Sequence, residues 1–253
     1  MSARLGSLQV NRALVFIPHH DDAEIVAGGT IAKWVADGVD VALCVVTNGA
    51  CGSNDPAVPR DELIVTRRAE QRRSAEILGI GEVVFLAYED GFLEDGRQLR
   101  LDLTREIRRL RPDVVLGPDP ATYYLGQWYV NHPDHRALGL AVLAAVNPGA
   151  STVPWCREEL YDRGFKPHSV GACLLMAPQQ ADLYVDIDEF IDAKVAALSA
   201  HESQAPGLVN AGLAAKGVSV MMARDSDLDC RFAEGFKAIF PGYPEGIEEL
   251  LDE

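Results

Sequence analysis

The sequence predicts an α/β fold: an open, mostly parallel, Rossmann-like sheet with helices on both faces, in a single domain over residues 1–253. Short apolar runs alternate with helical stretches of about ten or more residues, as parallel strands joined by crossover helices do. Polar loops follow the first four apolar runs, and in a parallel sheet such loops emerge along one edge. The composition, 48% hydrophobic and 24% charged, is typical of a globular protein.

The predicted elements of the first half alternate regularly. Ala13–Ile17 is a strand, and Glu24–Asp37 is a helix that Gly38 ends, since glycine readily adopts the conformation that follows a helix. The alternation continues with strand Val39–Val46, helix Asp61–Leu78, strand Glu82–Leu86, helix Leu101–Leu110 and strand Val114–Leu116.

The second half is less regular. Residues 210–229 are ambiguous between helix and loop. The predicted elements around them are a helix His132–Val146, strands Val170–Met176 and Ala181–Val185, a helix from Asp186 or Asp188 to Ala200, and a final helix at Cys230–Ile239.

The charge and cysteine content restrict the class of partner. The net charge is −15, with 38 acidic and 23 basic residues, which argues against nucleic acid or an anionic membrane as the main partner. The five cysteines form no C-x-x-C pair, so a thiolate zinc site is not expected, and their odd number suggests reduced thiols in a cytoplasm. The first residues lack an apolar signal core, and we expect a cytoplasmic protein that contacts no membrane.

The first candidate motif follows strand Ala13–Ile17 directly. His19, His20, Asp21, Asp22 and Glu24 lie within six consecutive positions at the mouth of this strand, where open α/β sheets bind ligands. A helix N-terminus also attracts acidic residues through its dipole, and this alternative explains the carboxylates. It does not explain two neighbouring histidines, so a metal site is the second interpretation.

The second candidate motif is His132-Pro133-Asp134-His135, again between a loop and a helix. Asp134 as a simple helix cap is the alternative. Two histidines and one carboxylate suit zinc and leave a coordination position for water, although iron(II) also accepts such ligands. Of the adjacent pair Asp21 and Asp22, one would bind the metal and the other would serve as general base for that water.

The motifs together resemble a known family. PHHDDAEIVAGGTIAK, the R-x-x-E of residues 67–70, Asp90-Gly91, NHPDHRA and KVAALSAHESQ resemble the LmbE/PIG-L family of zinc-dependent N-deacetylases over roughly residues 13–239. The two histidine-containing motifs are specific, whereas the other segments are individually weak. One departure is His20, which stands where the usual family motif has proline.

The resemblance implies roles for eight residues and one zinc ion per chain. It implies that His19, Asp22 and His135 bind the zinc and that Asp21 is the general base. The remaining implied roles are oxyanion stabilisation or proton donation for His132, and proximity to the sugar substrate for Arg67, Asp90 and His201. It also implies a homo-oligomer, a trimer or a hexamer.

Several of these residues also allow an interpretation without a role in the site. Arg67 fits a solvated helix face as well as a substrate contact, Asp90 fits a simple turn, and His201 fits a structural role. The aromatic residues between the two motifs fit a sugar-stacking wall, loop packing or a subunit interface; they are Tyr123, Tyr124, Trp128 and Tyr129.

The expected function is removal of the acetyl group from an N-acetylglucosamine-type amino sugar or its small-molecule conjugate. One alternative is the same chemistry on a non-sugar amide or a thiol conjugate. A second alternative, from a different class, is a nucleotide-binding or sugar-binding module without hydrolysis.

Overall fold

The computed structural model describes residues 3–127, 129–204 and 211–242. Two short hairpins lie outside the central sheet: β1 (Arg4–Leu5) with β2 (Leu8–Gln9), and β7 (Tyr124–Leu125) with β8 (Tyr129–Val130). Within the described ranges the central sheet has seven strands, β3 (Arg12–Ile17), β4 (Asp40–Thr47), β5 (Glu82–Tyr88), β6 (Val114–Pro118), β9 (Ala172–Met176), β10 (Leu183–Asp186) and β11 (Ala233–Ile239). The α-helices in these ranges are α1 (Asp22–Ala36), α2 (Arg60–Leu78), α3 (Arg97–Leu110), α4 (Pro133–Ala144), α5 (Ile191–Ser199) and α6 (Ala211–Asp225).

The strand order of the sheet is β10-β11-β9-β6-β3-β4-β5. The five strands from β9 to β5 pair in parallel, and only β11 runs antiparallel to both of its neighbours. This confirms the predicted α/β class with a mostly parallel sheet.

Helices cover both faces of the sheet, as predicted. Along β3, Val15 and Ile17 pack in one apolar cluster with Ile31 of α1, whereas Leu14 and Phe16 pack in a second cluster with α3 and α4. All five side chains are fully buried. This central parallel strand is therefore apolar from Ala13 to Ile17, and its sequence there is a continuous hydrophobic run.

The prediction of a final helix at Cys230–Ile239 is wrong, because β11 lies there. This strand enters between β9 and β10 and is hydrogen-bonded on both edges, so non-local pairing outweighs the local pattern. Gly235 suits this position, since a Cβ there would lie 2.9 Å from the sulfur of Met222. The ambiguous stretch before it contains helix α6.

A buried ion pair joins β11 to α5, and its carboxylate also accepts hydrogen bonds from the first helix. The Glu234 carboxylate accepts hydrogen bonds from Nζ of Lys194 at 2.6 Å and from the backbone N–H groups of Gly29 and Thr30 at 2.9 and 2.7 Å. Lys194 is fully buried and Glu234 nearly so. Gly28 of α1 lies against Lys194, where a Cβ would come within 3.2 Å of Cγ. The glycine therefore allows α1 to pack closely against α5.

The order of the strands creates a crevice between β3 and β6. From β3 the chain proceeds through α1 to β4 on one side, whereas β6, on the other side, is followed by α4 on the opposite face. Loops that leave adjacent parallel strands in opposite directions leave a crevice at their carboxyl ends, where ligands bind. Both histidine-containing motifs lie at this crevice. In the described part of the chain, no helix is long and apolar enough to cross a membrane.

Candidate active site

His19 and Asp22 meet in the turn between β3 and α1. The backbone N–H of His19 donates to Oδ2 of Asp22 at 2.9 Å, and Nδ1 of His19 lies 3.3 Å from the same oxygen. The second motif contributes His135, in the first turn of α4, whose Nε2 lies 3.3 Å from Oδ1 of Asp22. Ligand atoms of His19, Asp22 and His135 all lie within 4.8 Å of one another, which is the spacing a single ion requires.

Asp134 orients the ring of His19. Its fully buried carboxylate lies 3.1 Å from Nε2 of His19 and accepts hydrogen bonds from the N–H groups of Gly91 and Leu93. The interpretation of Asp134 as a helix cap is wrong, because the cap of α4 is His132. A carboxylate on the far nitrogen of a ligand histidine fixes the ring and increases its basicity. Nδ1 of His19 is thereby left facing Asp22.

The electrostatics around His19 favour a cation. Burial opposes protonation of the ring, but Asp134, Asp22 and Asp90 together raise the pKa of His19 to about 12. A divalent metal that replaces the proton is stabilised by the same carboxylates. The donor set of two imidazoles and one carboxylate, with a carboxylate behind one imidazole, fits zinc or another borderline divalent ion.

Asp21 lies beside the trio in a strained backbone conformation. Its φ of 97° is unusual for a residue other than glycine and persists only where the surroundings enforce it. Burial, followed by the negative charge of Asp22, raises the pKa of Asp21 to about 7. A carboxyl group with such a pKa is suited to accept and return a proton near neutral pH.

A buried polar cluster on α2 supports the backbone of Asp21. The side-chain oxygen of Gln71 accepts the N–H of Asp21 at 3.3 Å, and its amide nitrogen donates to Glu24 at 2.7 Å. Ser74 donates a further hydrogen bond to Glu24. Glu24, Gln71 and Ser74 are fully buried. The prediction placed Glu24 in the acidic motif without a role and missed Gln71, whose only sequence signal is a polar residue on the inner face of a helix.

His132 presents a hydrogen-bond donor to the crevice. Its Nδ1 accepts the N–H of Asp134 at 3.2 Å, so the neutral ring carries its proton on Nε2. Burial, together with the neighbouring charge on His19, lowers the pKa of His132, which favours this neutral form. The ring is 4.6 Å from that of His19, centroid to centroid, in an edge-on arrangement.

Arg67 does not lie on a solvated helix face. It is buried, and its guanidinium donates to the carbonyl oxygens of Gly49 and His20 at 3.1 and 2.8 Å. The same group lies 3.9 Å from carboxylate oxygens of both Asp21 and Asp90. Arg67 therefore joins three loops at the edge of the site and adds positive charge beside the proposed base.

Asp90 is more than a simple turn residue. Its Oδ1 lies 3.3 Å from Nε2 of His19, and its Oδ2 accepts the N–H of Cys51 at 2.9 Å. His201 lies on the other side of the site, buried, with Nε2 3.5 Å from Oε1 of Glu24. The structure thus brings Asp90 directly to the trio and places His201 against Glu24.

His20 has a structural role. It is fully buried, and its ring stacks on Phe85 with 5.7 Å between centroids. Burial, with the positive charge of Arg67, lowers the pKa of His20 to about 3, so the ring is neutral. Of the aromatic residues between the motifs, Tyr123 and Tyr124 are mostly exposed, Tyr129 lies closer to the site, and Trp128 lies outside the described residues.

The chain is similar to known deacetylases. Residues 14–146 match the PIG-L family, described as GlcNAc-PI de-N-acetylase. The diacetylchitobiose deacetylase of Thermococcus kodakarensis is 37% identical over 197 residues, which cover 78% of this chain and 71% of that protein. A probable N-acetyl-alpha-D-glucosaminyl L-malate deacetylase 2 of Bacillus anthracis is 29% identical over 197 residues, covering 76% of this chain and 80% of the relative.

A solved structure of a deacetylase has a similar fold. The N,N'-diacetylchitobiose deacetylase from Pyrococcus horikoshii, in complex with an inhibitor, superposes with a TM-score of 0.83 at 29% identity, covering 91% of this chain and 84% of that one. The match to the family spans more than half of the sequence and includes both histidine-containing motifs. The chain therefore belongs to the PIG-L/LmbE family of metal-dependent deacetylases.

Proposed function

We propose that the protein is a zinc-dependent hydrolase that removes the N-acetyl group from an N-acetylglucosamine-type amino sugar or its small-molecule conjugate. The observation that carries this proposal is the trio His19, Asp22 and His135 with the carboxylate of Asp21 beside it. The three relatives reported above act on acetylated glucosamine derivatives according to their names, which supports the substrate class.

In the proposed mechanism, His19, Asp22 and His135 hold one zinc ion per chain. When bound, this ion polarises the amide carbonyl and lowers the pKa of a water molecule to about 7. Asp21 accepts the proton of the attacking water, and Nε2–H of His132 donates a hydrogen bond to the oxygen that becomes negatively charged. The amide C–N bond breaks, the proton held by Asp21 passes to the departing nitrogen, and the products are acetate and the free amine.

The surrounding residues prepare this arrangement. Asp134 and Asp90 orient His19, and Gln71 holds the backbone of Asp21 in its strained conformation. Arg67, 3.9 Å from the Asp21 carboxylate, favours its ionised form before the water is deprotonated. We propose that Arg67, Asp90 and His201 also contact the substrate. Because all three residues are largely buried, these contacts involve only the few atoms that remain exposed.

The test uses the different roles proposed for the two adjacent aspartates, general base for Asp21 and metal ligand for Asp22. Asparagine tolerates a positive φ, so Asp21→Asn keeps the backbone and removes the base. We expect this variant to retain about one zinc per chain and to lose acetate release, whereas Asp22→Asn loses the zinc as well. Loss of zinc in Asp21→Asn with retention in Asp22→Asn would show that the two roles are reversed.

A second measurement addresses the alternatives. Acetate release is followed from N-acetylglucosamine, its oligomers and its conjugates, with and without a chelator. If acetate is released only from a non-sugar amide or a thiol conjugate, the substrate is that compound and not an amino sugar. If sugars bind but are not hydrolysed at any metal loading, the protein is a binding module. The proposed trimer or hexamer is tested by the mass of the protein in solution.

A further inference from the structure

An apolar cavity of about 300 Å³ opens directly beside the proposed metal ligands. Asp22 and His135 form part of its wall. Most of the remaining wall comes from the inner side of α1, from α6, from the end of β9 and from the hairpin β7–β8. Its apolar side chains include Ile25, Val26, Leu125, Met176, Val218 and Met222.

Three further polar side chains lie in the wall, Tyr129, Asn131 and Glu234, and the last two are hydrogen-bonded within the protein. Glu234 accepts hydrogen bonds from Lys194 and from the backbone of α1. Asn131 donates from its side chain to the carbonyl oxygen of Thr122 at 2.6 Å. Sugar hydroxyl groups placed among the apolar side chains would lose their hydrogen bonds to water, and an unpaired buried hydroxyl is unfavourable. The cavity therefore suits a hydrocarbon group better than a sugar ring.

The polar residues of the site lie outside the wall of this cavity. Asp21, Arg67, Asp90 and His132 do not line it, and Asp21 contacts α2 instead, through the guanidinium of Arg67 at 3.9 Å and the side-chain oxygen of Gln71. In the proposed mechanism the departing nitrogen receives its proton from Asp21. The amine half of the substrate must therefore lie on the Asp21 side, and the acyl half lies on the side of Asp22 and His135, where the cavity begins.

The size of the cavity exceeds what an acetyl group needs. An acetyl group would place a single methyl group in it, whereas cavities of this volume hold entire small ligands. If a methylene occupies about as much space as a water molecule in the liquid, ~30 Å³, the cavity has room for roughly ten carbons, enough for an octanoyl chain.

We propose that this cavity binds the acyl chain of the substrate and that the enzyme hydrolyses N-acyl amino sugars with chains longer than acetyl. This inference rests on the proposed amide hydrolysis and extends it to a substrate class. The reaction is the same amide hydrolysis as for an acetyl group. The amide C–N bond breaks, the water oxygen joins the acyl carbon, and one water proton reaches the amine. The released acid is a medium-chain carboxylate.

The experiment compares glucosamine derivatives that differ only in their acyl chain: N-acetyl, N-butanoyl, N-hexanoyl and N-octanoyl. Free glucosamine is the common product and is measured for all four with the zinc-loaded enzyme. We expect kcat/KM to rise about fourfold with each methylene that the cavity buries. A parallel series attaches the same alkyl chains to the glycosidic oxygen of N-acetylglucosamine, and we expect no such rise there.

A substitution that narrows the cavity provides the structural control. Val218→Phe fills part of it from α6, and we expect the ratio of kcat/KM for N-octanoyl over N-acetyl to fall at least tenfold. Leu213→Phe adds the same ring on the same helix at a position that is 71% exposed, and this ratio should not change.

Three outcomes would overturn the proposal. If N-acetylglucosamine is hydrolysed and the derivatives with longer acyl chains are not, the acyl site is refuted and the proposed function stands. If kcat/KM rises with the length of the glycoside chain and not with that of the acyl chain, the cavity binds the sugar half of the substrate. Hydrolysis of none of the eight compounds would remove the proposed function together with the acyl site.

Discussion

The carboxylate of Asp134 lies 3.1 Å from Nε2 of His19, although 115 residues separate them in the chain. The N–H groups of Gly91 and Leu93 hold that carboxylate in place. The loops after three strands, β3, β5 and β6, thus meet at one histidine ring. The orientation of His19 toward Asp22 depends on all three.

Substitution of Asp134 tests this dependence. In Asp134→Asn an amide replaces the charge behind His19, and its NH₂ group cannot accept from both backbone donors. We expect affinity for zinc to fall by about 10–100-fold, measured by competition with a chromophoric chelator. Asp182→Asn, which removes a surface carboxylate near Lys237, is the matched control and should leave the affinity unchanged. Equal affinities in the two variants would contradict a role for Asp134 in orienting His19.

His132→Asn separates the two functions of that residue. Asparagine is a favoured N-cap and can still accept the N–H of Asp134, but it lacks the donor at Nε2. We expect kcat to fall by about 10²–10³-fold, the usual effect of removing one donor to a developing oxyanion. Zinc content and the temperature of unfolding should change little. A large drop in zinc content would instead place His132 among the metal ligands.

Gln71 is expected to act on catalysis through the position of Asp21. Gln71→Met keeps the volume and removes the acceptor for the N–H of Asp21. We expect kcat to fall by about 10–100-fold at unchanged zinc content, because a small misplacement of a catalytic group is costly. Gln98→Met, at an exposed position on α3, serves as control. If KM rises while kcat is preserved, Gln71 affects substrate binding and not the base.

Removal of the buried Lys194 should destabilise the protein more than removal of a surface lysine. Lys194→Met leaves the Glu234 carboxylate buried without its cation, and we expect a loss of about 3–5 kcal/mol in the free energy of unfolding. Lys237→Met removes the partner of Asp182 at an exposed position and should cost at most about 1 kcal/mol. Urea denaturation of the metal-loaded proteins measures both. Similar midpoints and slopes for the two variants would contradict the structural role of the buried pair.

The local parts of this fold were predictable. Strands buried on both faces are continuous apolar runs, so β3, β4 and β6 could be located from sequence, and the two histidine-containing motifs followed from their place after strands. The pairing of β11 could not be predicted in this way. A short apolar segment fits a helix or a strand equally well, and the choice here depends on hydrogen bonds to β9 and β10, which are distant in sequence.

The site was predictable for the residues that carry its motifs and not for those behind them. A carboxylate at a helix start has the same sequence pattern whether it caps the helix or faces His19, so the sequence left both interpretations of Asp134 open. Gln71 and Glu24 meet across two helices, and no spacing along either helix indicates that contact. His20 departs from the family pattern, and its buried ring stacks on Phe85.

The hydrogen bonds that the backbone of α1 donates to Glu234 have a consequence for biosynthesis. The helix that carries Asp22 is synthesised well before β11, since Gly29 precedes Glu234 by 205 residues in the chain. Until that strand is inserted between β9 and β10, two N–H groups of α1 and the ammonium of Lys194 have no carboxylate to receive them. The nascent enzyme is therefore expected to acquire its metal-binding geometry only after synthesis has passed Ile239, so that a truncated product would hold little zinc.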